Sequence, residues 1–161
     1  MCKKAMELTD GAFNPWLKGF DPSGLVKGWA AQKCGEIFEK YGVENSLVNA
    51  AGDLALRGGL LKDGEVTPWE IGIRNPEIKD EIVESFKINT GAIATSGSYE
   101  KGAHIYDPFT NLIAIGARSA TVIGPDAAIA DALATALMVS GKDGAIWFSK
   151  PELKSYSVFV I

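Results

Sequence analysis

The sequence predicts an α+β fold. Two helical patterns, one early and one late, are separated by a series of short β-like segments, and no βαβ unit repeats. At 161 residues the chain suits one domain, residues 1–161, long enough to bury a substantial core. Hydrophobic residues make up 47% and charged residues 22%, proportions that fit a globular protein and exclude a disordered or fibrous one.

The opening "TDGAFNPWLKGFDPSG" is rich in Gly, Pro, Asn and Asp and predicts irregular structure or tight turns. "GLVKGWAAQKCGEIFEKYG" follows, with Leu25, Trp29, Ile37 and Phe38 at helical spacing and Gly42 as the stop. Within it, Gly28 is a candidate for close backbone approach, and Cys34 is expected as a small buried hydrophobe. "SLVNAAGDLALRGG" alternates apolar with small or polar residues and predicts a strand or hairpin closed by Gly58-Gly59. "PWEIGIRNP" is a period-2 strand ended by Pro76, and "FKINTGAIATSG" is a further β-like segment. "AHIYDP" is extended, because the residue before Pro108 avoids the helical region. "ARSATVIGPD" predicts a strand, Pro125-Asp126 starts a helix running to about Ser140, and "GAIWFSK" and "SYSVFVI" predict two last strands.

The formal charge of −4 and the absence of a basic run argue against a nucleic-acid partner. An acidic protein with an anionic ligand needs a cation or backbone N–H groups to hold it. Cys2 and Cys34 form no CxxC, so neither a disulfide framework nor a zinc site is expected. The start "MCKKAMELTDG" has no apolar stretch behind its lysines and no segment is long enough to span a membrane; a cytoplasmic chain is expected. The GxGxxG, GxxxxGK[ST], HExxH and GxSxG patterns are absent, which removes the commonest nucleotide, zinc and serine-hydrolase signatures.

Five residues could carry chemistry. Asp131 and Thr135 lie four residues apart in "ADALATA", one turn apart on a helix face. They are either solvent-facing polar residues or two hard oxygens aimed at one cation. His104, the single histidine, sits in "TSGSYEKGAHIYDP" with Thr95, Ser96, Ser98, Tyr99, Lys101 and Asp107, and is either structural or catalytic. Asp53 in "NAAGD" either closes a bulge on local backbone or meets a ligand, and Lys27 in "DPSGLVKGWA" is either solvated or meets phosphate.

Taken in order, "DPSGLVKGWAAQ", "LVNAAGD" with "LRG", "WEIGIRNP", "AIATSGSYEKGAHIYDP", "SATVIGPD" and "ADALATA" resemble the ApbE family, the FAD:protein FMN transferases. The resemblance runs from Gly11 to about Gly141 and looks most like the family's short actinobacterial type. It implies an ApbE-like domain, a mixed or antiparallel sheet with flanking helices. It also implies magnesium and FAD as substrate, with FMN moved to a threonine or serine hydroxyl of a target flavoprotein and AMP released. Some relatives hydrolyse FAD instead. Non-catalytic FAD binding and an inactive fragment are the alternatives. The family's metal ligands map onto Asp131, Thr135 and the Val26 carbonyl, and its FAD pocket onto Lys27, Asp53, Thr95, Ser96 and His104. Asp131 or His104 is the implied proton acceptor.

Two departures matter. Ala51 stands where the family often has glycine, and is expected at negative φ. The chain also resembles only the C-terminal two-thirds of the family fold, without the N-terminal segment whose methionine-glycine-threonine stretch helps hold the flavin. Exposed core edges are therefore expected, which a homo-oligomer would cover. Full-length relatives of this kind are often exported lipoproteins.

Overall fold

The computed structural model describes residues 1–98 and 105–161. After the short helix α1 (Cys2–Leu8) and an irregular stretch comes α2 (Ser23–Lys40). Strands β1 (Ser46–Ala50), β2 (Asp53–Arg57), β3 (Leu60–Lys62), β4 (Glu65–Thr67), β5 (Trp69–Arg74), β6 (Ile82–Ile88), β7 (Gly91–Gly97) and β8 (Ser119–Gly124) follow. The chain ends with α3 (Ala127–Ser140), 3-10 turns over Gly141–Ser149 and Pro151–Leu153, and β9 (Ser157–Val160). The main sheet is antiparallel, in the order β1-β2-β7-β8-β9, with β3–β4 and β5–β6 as separate two-stranded ribbons. The α+β prediction holds.

Strand alternation splits the core into two layers. Ala94, Ala120 and Val122 face α1 and α3, while their neighbour Ile93 turns the other way with Leu54 and Leu56 toward the β5–β6 ribbon. On the helix side the sheet residues are small, so α3 lies close. α3 starts at Asp126, whose carboxylate accepts the Ile129 N–H, and it is enclosed on all sides: Ala130, Ala132, Ala134 and Ala136 have no exposed surface. This excludes the solvent-facing reading of Asp131. On the ribbon side, Trp69 Nε1 donates to the Arg57 carbonyl and pins the ribbon to the sheet.

Several sequence expectations are corrected. "GAIWFSK" is a 3-10 helix, not a strand: Gly141, Gly144 and Trp147 are buried at every third residue, the period of that helix. "FKINTGAIATSG" covers the end of β6 and all of β7, broken at Asn89-Thr90. Of Leu25, Trp29, Ile37 and Phe38, only Leu25 is buried; the other three are exposed, and the inner face of α2 is Leu25, Gly28 and Ala31. Cys34 is exposed, because it lies one turn past Ala31, at the edge of that face and off its centre. Ala51 has φ +51 and Gly52 φ +97, which closes the β1–β2 hairpin in two residues. Positive φ at both turn positions matches the right-handed twist of paired strands, so the turn geometry overrides alanine's preference. The sequence reading passed over α1 and the β3–β4 hairpin, although Asp63-Gly64 (φ +53 and +84) is the usual signal for such a turn.

Candidate functional site

The site is built where α2 and α3 cross. Gly24 meets Thr135, Gly28 meets Asp131 and Gln32 meets Ala127, so the helices run antiparallel and match turn for turn. Gly28 makes this possible: a Cβ there would stand 2.1 Å from the Ala127 carbonyl oxygen. At the same point the Gly28 N–H donates to Asp131 Oδ2 at 3.0 Å. One turn away Gly24 departs from helical geometry (φ −78, ψ 18), and its carbonyl accepts from Thr135 Oγ1 at 3.3 Å. The turn into α2 is set by Asp21, whose Oδ1 accepts the Ser23 N–H at 2.9 Å; that bond holds the Asp21 carboxyl below its usual range.

The sheet supplies the second wall. Ser96 Oγ lies 3.3 Å from Thr135 Oγ1, and Thr95 Oγ1 lies 2.9 Å from Thr121 Oγ1 on β8. Asp53, the first residue of β2, accepts the Thr95 N–H at 3.2 Å on Oδ1 and Lys27 Nζ at 2.5 Å on Oδ2. Its partners are thus distant in sequence, not the local backbone of a bulge. Burial pushes the Asp131 carboxyl up to about 7, and the Asp53 charge beside it adds to the rise, against the Gly28 N–H and Lys27, which oppose it.

These groups border a cavity of about 250 Å³ lined by Gly24, Lys27, Thr95, Ser96, Asp131 and Thr135 together with the Ala12–Asp21 loop and Tyr106. Five of the sequence-chosen residues therefore converge. Two do not reach the wall: Asp53 lies behind it, and Val26 is an exposed residue outside it, two positions from the Gly24 carbonyl that does face Thr135. His104 lies outside the described residues, as do Tyr99 and Lys101. Asp107 caps its own turn, accepting from the Phe109 N–H and Thr110 Oγ1 at 2.8 Å each, and the Phe109 bond lowers its pKa.

Sequence reasoning missed Gly24 and the loop wall. The loop's Pro, Gly and Asn content signals irregular backbone but not which way it folds. There Lys18 Nζ sits 3.1 Å from the centre of the Tyr106 ring, and Trp16 stacks at a tilt on Phe20. No cluster of three His, Cys, Asp or Glu side chains occurs among the described residues. A hard cation at this crossing would rest on one carboxylate with hydroxyl and carbonyl oxygens, and an anionic ligand would complete its shell.

The α+β domain thus gathers the Asp131 carboxylate, the hydroxyls of Thr95, Ser96 and Thr135 and the Lys27 ammonium around one cavity, groups of the kinds that meet anions and hard cations. The ApbE family model matches residues 17–160. The FAD:protein FMN transferases of Vibrio cholerae serotype O1 and Escherichia coli K12 are each 36% identical, over 134 and 140 residues, or 76% and 78% of this chain. The chain spans only 39% and 38% of those two curated relatives. The ApbE protein of Thermotoga maritima superposes with a TM-score of 0.84 at 28% identity, covering 99% of this chain and 70% of that one. The flavin transferase ApbE from Vibrio cholerae has the same fold, with a TM-score of 0.82 at 24% identity and 99% and 68% coverage. This chain belongs to the ApbE family.

Proposed function

We propose that the chain binds FAD with its diphosphate at the α2–α3 crossing and, with magnesium, transfers FMN to a threonine or serine hydroxyl of an acceptor flavoprotein. The observation that carries this reading is the convergence of Gly24, Lys27, Asp131 and Thr135 on one cavity, within a family whose relatives bear the name FAD:protein FMN transferase. The donor set suits magnesium, which prefers hard oxygens, uses one or two carboxylates and leaves positions for phosphate. Gly24 is better placed than Val26 to give the carbonyl ligand, because it lines the cavity and meets Thr135. A bound magnesium ion would neutralise charge on the diphosphate and on the departing AMP.

The residues of the chain do the rest. Lys27 presents its ammonium to the diphosphate, Thr95 and Ser96 bound the second wall, and the Gly28 N–H orients Asp131. The acceptor hydroxyl oxygen attacks the FMN phosphorus, the bond to the bridging oxygen breaks, and AMP leaves with that oxygen. The hydroxyl proton goes to Asp131 or to His104: a His104→Ala variant that binds FAD with magnesium but does not turn it over assigns the proton to His104, and one with full turnover assigns it to Asp131.

A second reading, FAD binding or hydrolysis without transfer, draws on cavity size. At about 250 Å³ the cavity takes a diphosphate and part of a nucleotide, below the usual volume of a drug-sized pocket. The experiment is incubation with FAD, magnesium and a threonine-containing acceptor. Flavin fluorescence that stays with the denatured acceptor, with AMP in solution, supports transfer. AMP and FMN without labelled acceptor support hydrolysis, and FAD retained intact supports storage. No FAD binding with magnesium present would sink all three.

A further inference from the structure

Asp53 is buried, absent from the cavity wall, and yet bonded to two residues that form it. The Thr95 N–H clamps one carboxylate oxygen, Oδ1, at 3.2 Å and so aims the other, Oδ2, at Lys27 Nζ, 2.5 Å away. Lys27 belongs to α2 and Thr95 to β7, so one carboxylate ties helix to sheet at the corner of the cavity. The lysine side chain is about a third exposed, whereas that of Asp53 is nearly inaccessible at 1%. A lysine stem has much rotamer freedom to lose when it meets an anion. A tether that removes this freedom before the anion arrives is preorganisation. The Asp131 carboxyl is a charged neighbour of this pair, in the field of both Asp53 and Lys27.

We propose that Asp53 is a positioning residue of the anion site: it fixes the Lys27 ammonium at the cavity wall and does not itself touch the ligand. The ligand's identity rests on the FAD reading; the tether does not. Asp53 therefore acts behind the pocket that the family resemblance assigned it to line.

A double-mutant cycle on the full chain tests this, with FAD and magnesium as the probe and equilibrium quenching of flavin fluorescence as the readout. The variants are Asp53→Asn, Lys27→Met and both together, each checked for cooperative unfolding. Asparagine keeps an oxygen for the Thr95 N–H but replaces the oxygen that holds the ammonium. Asp53→Asn and Lys27→Met are each expected to weaken binding about tenfold, and the double variant no more than Lys27→Met alone. If Asp53→Asn weakens binding as much in the Lys27→Met background as in the wild type, Asp53 meets the ligand directly and the proposal falls.

A ligand-free arm uses the unmodified protein. The Lys27 ammonium is expected to exchange slowly enough to give a ¹H–¹⁵N correlation, and its absence overturns the tether even where Asp53→Asn does not fold. A wild type that shows this signal but binds no FAD sinks the FAD reading and leaves the tether standing.

Discussion

Asp131 holds two properties in tension. It is 2% exposed on an alanine-lined helix, yet it accepts the Gly28 N–H and lines the cavity. A buried carboxylate is costly to ionise, so the proposed cation would offset that cost at this residue. Asp131→Ala removes the one carboxylate at the crossing that lines the cavity and is expected to abolish magnesium-dependent FAD turnover, measured as AMP release. Thr135→Ala removes a neutral hydroxyl and is expected to raise the magnesium requirement about tenfold while leaving turnover at saturating magnesium largely intact. Turnover unchanged in Asp131→Ala would contradict the ligand assignment. At this scale the sequence was partly legible. The i, i+4 spacing announced Asp131 and Thr135 because helix geometry alone brings them together. Gly24 was hidden because its partner Thr135 is 111 residues away, and the Asp53 bond to Thr95 crosses 42. No local pattern encodes such contacts.

The helix crossing and the hairpin turn each depend on one residue. At the crossing, Gly28 admits the Ala127 carbonyl where any side chain would collide with it. Gly28→Ala forces α2 and α3 apart and is expected to cost about 3 kcal/mol, read as a lower denaturant midpoint with unchanged slope. The displacement also moves the N–H that orients Asp131, so magnesium affinity is expected to fall with stability. The β1–β2 turn works the other way. Ala51 holds φ +51, where L side chains are strained by about 1–2 kcal/mol. Ala51→Gly relieves that strain and is expected to stabilise the chain by about 1 kcal/mol, visible as a higher melting temperature. Elements with a local signature were legible: α3 with its Pro125-Asp126 start, β5 with its alternation, and β8 as a run ended by Gly124-Pro125. The 3-10 segment was not, since a burial period of three falls between the two periods that pattern reading compares.

On the scale of the whole chain, the buried carboxyl at the crossing sets how stability depends on pH. Asp131 titrates near 3.8 in the unfolded chain and at about 7 in the fold, because burial and the neighbouring Asp53 disfavour its charged form. Between these values the folded state keeps a proton that the unfolded state has lost. Unfolding free energy therefore falls as pH rises from about 4 to 7 and levels off above, at a rate of about 1.4 kcal/mol per pH unit. Between pH 5 and 8 the loss is on the order of 3 kcal/mol, and each kcal/mol moves the melting temperature of a chain this size by about 2–4 °C. Among the described residues, Asp21, Glu36 and Asp107 are lowered and Tyr156 is pushed up to about 12, all outside the range from pH 5 to 8. The one histidine belongs to a residue type that titrates within it, so the comparison with Asp131→Asn is what isolates the carboxyl. In chelator, wild type is expected to melt lower at pH 8 than at pH 5, and Asp131→Asn to lose most of that difference. At pH 8 the variant is expected to be the more stable of the two, since an amide is cheaper to bury than a carboxylate. Magnesium with FAD at pH 8 is expected to restore the wild type and leave Asp131→Asn unmoved. Parallel pH profiles for the two proteins would mean that Asp131 ionises without cost, leaving a cation at the crossing with no buried charge to offset.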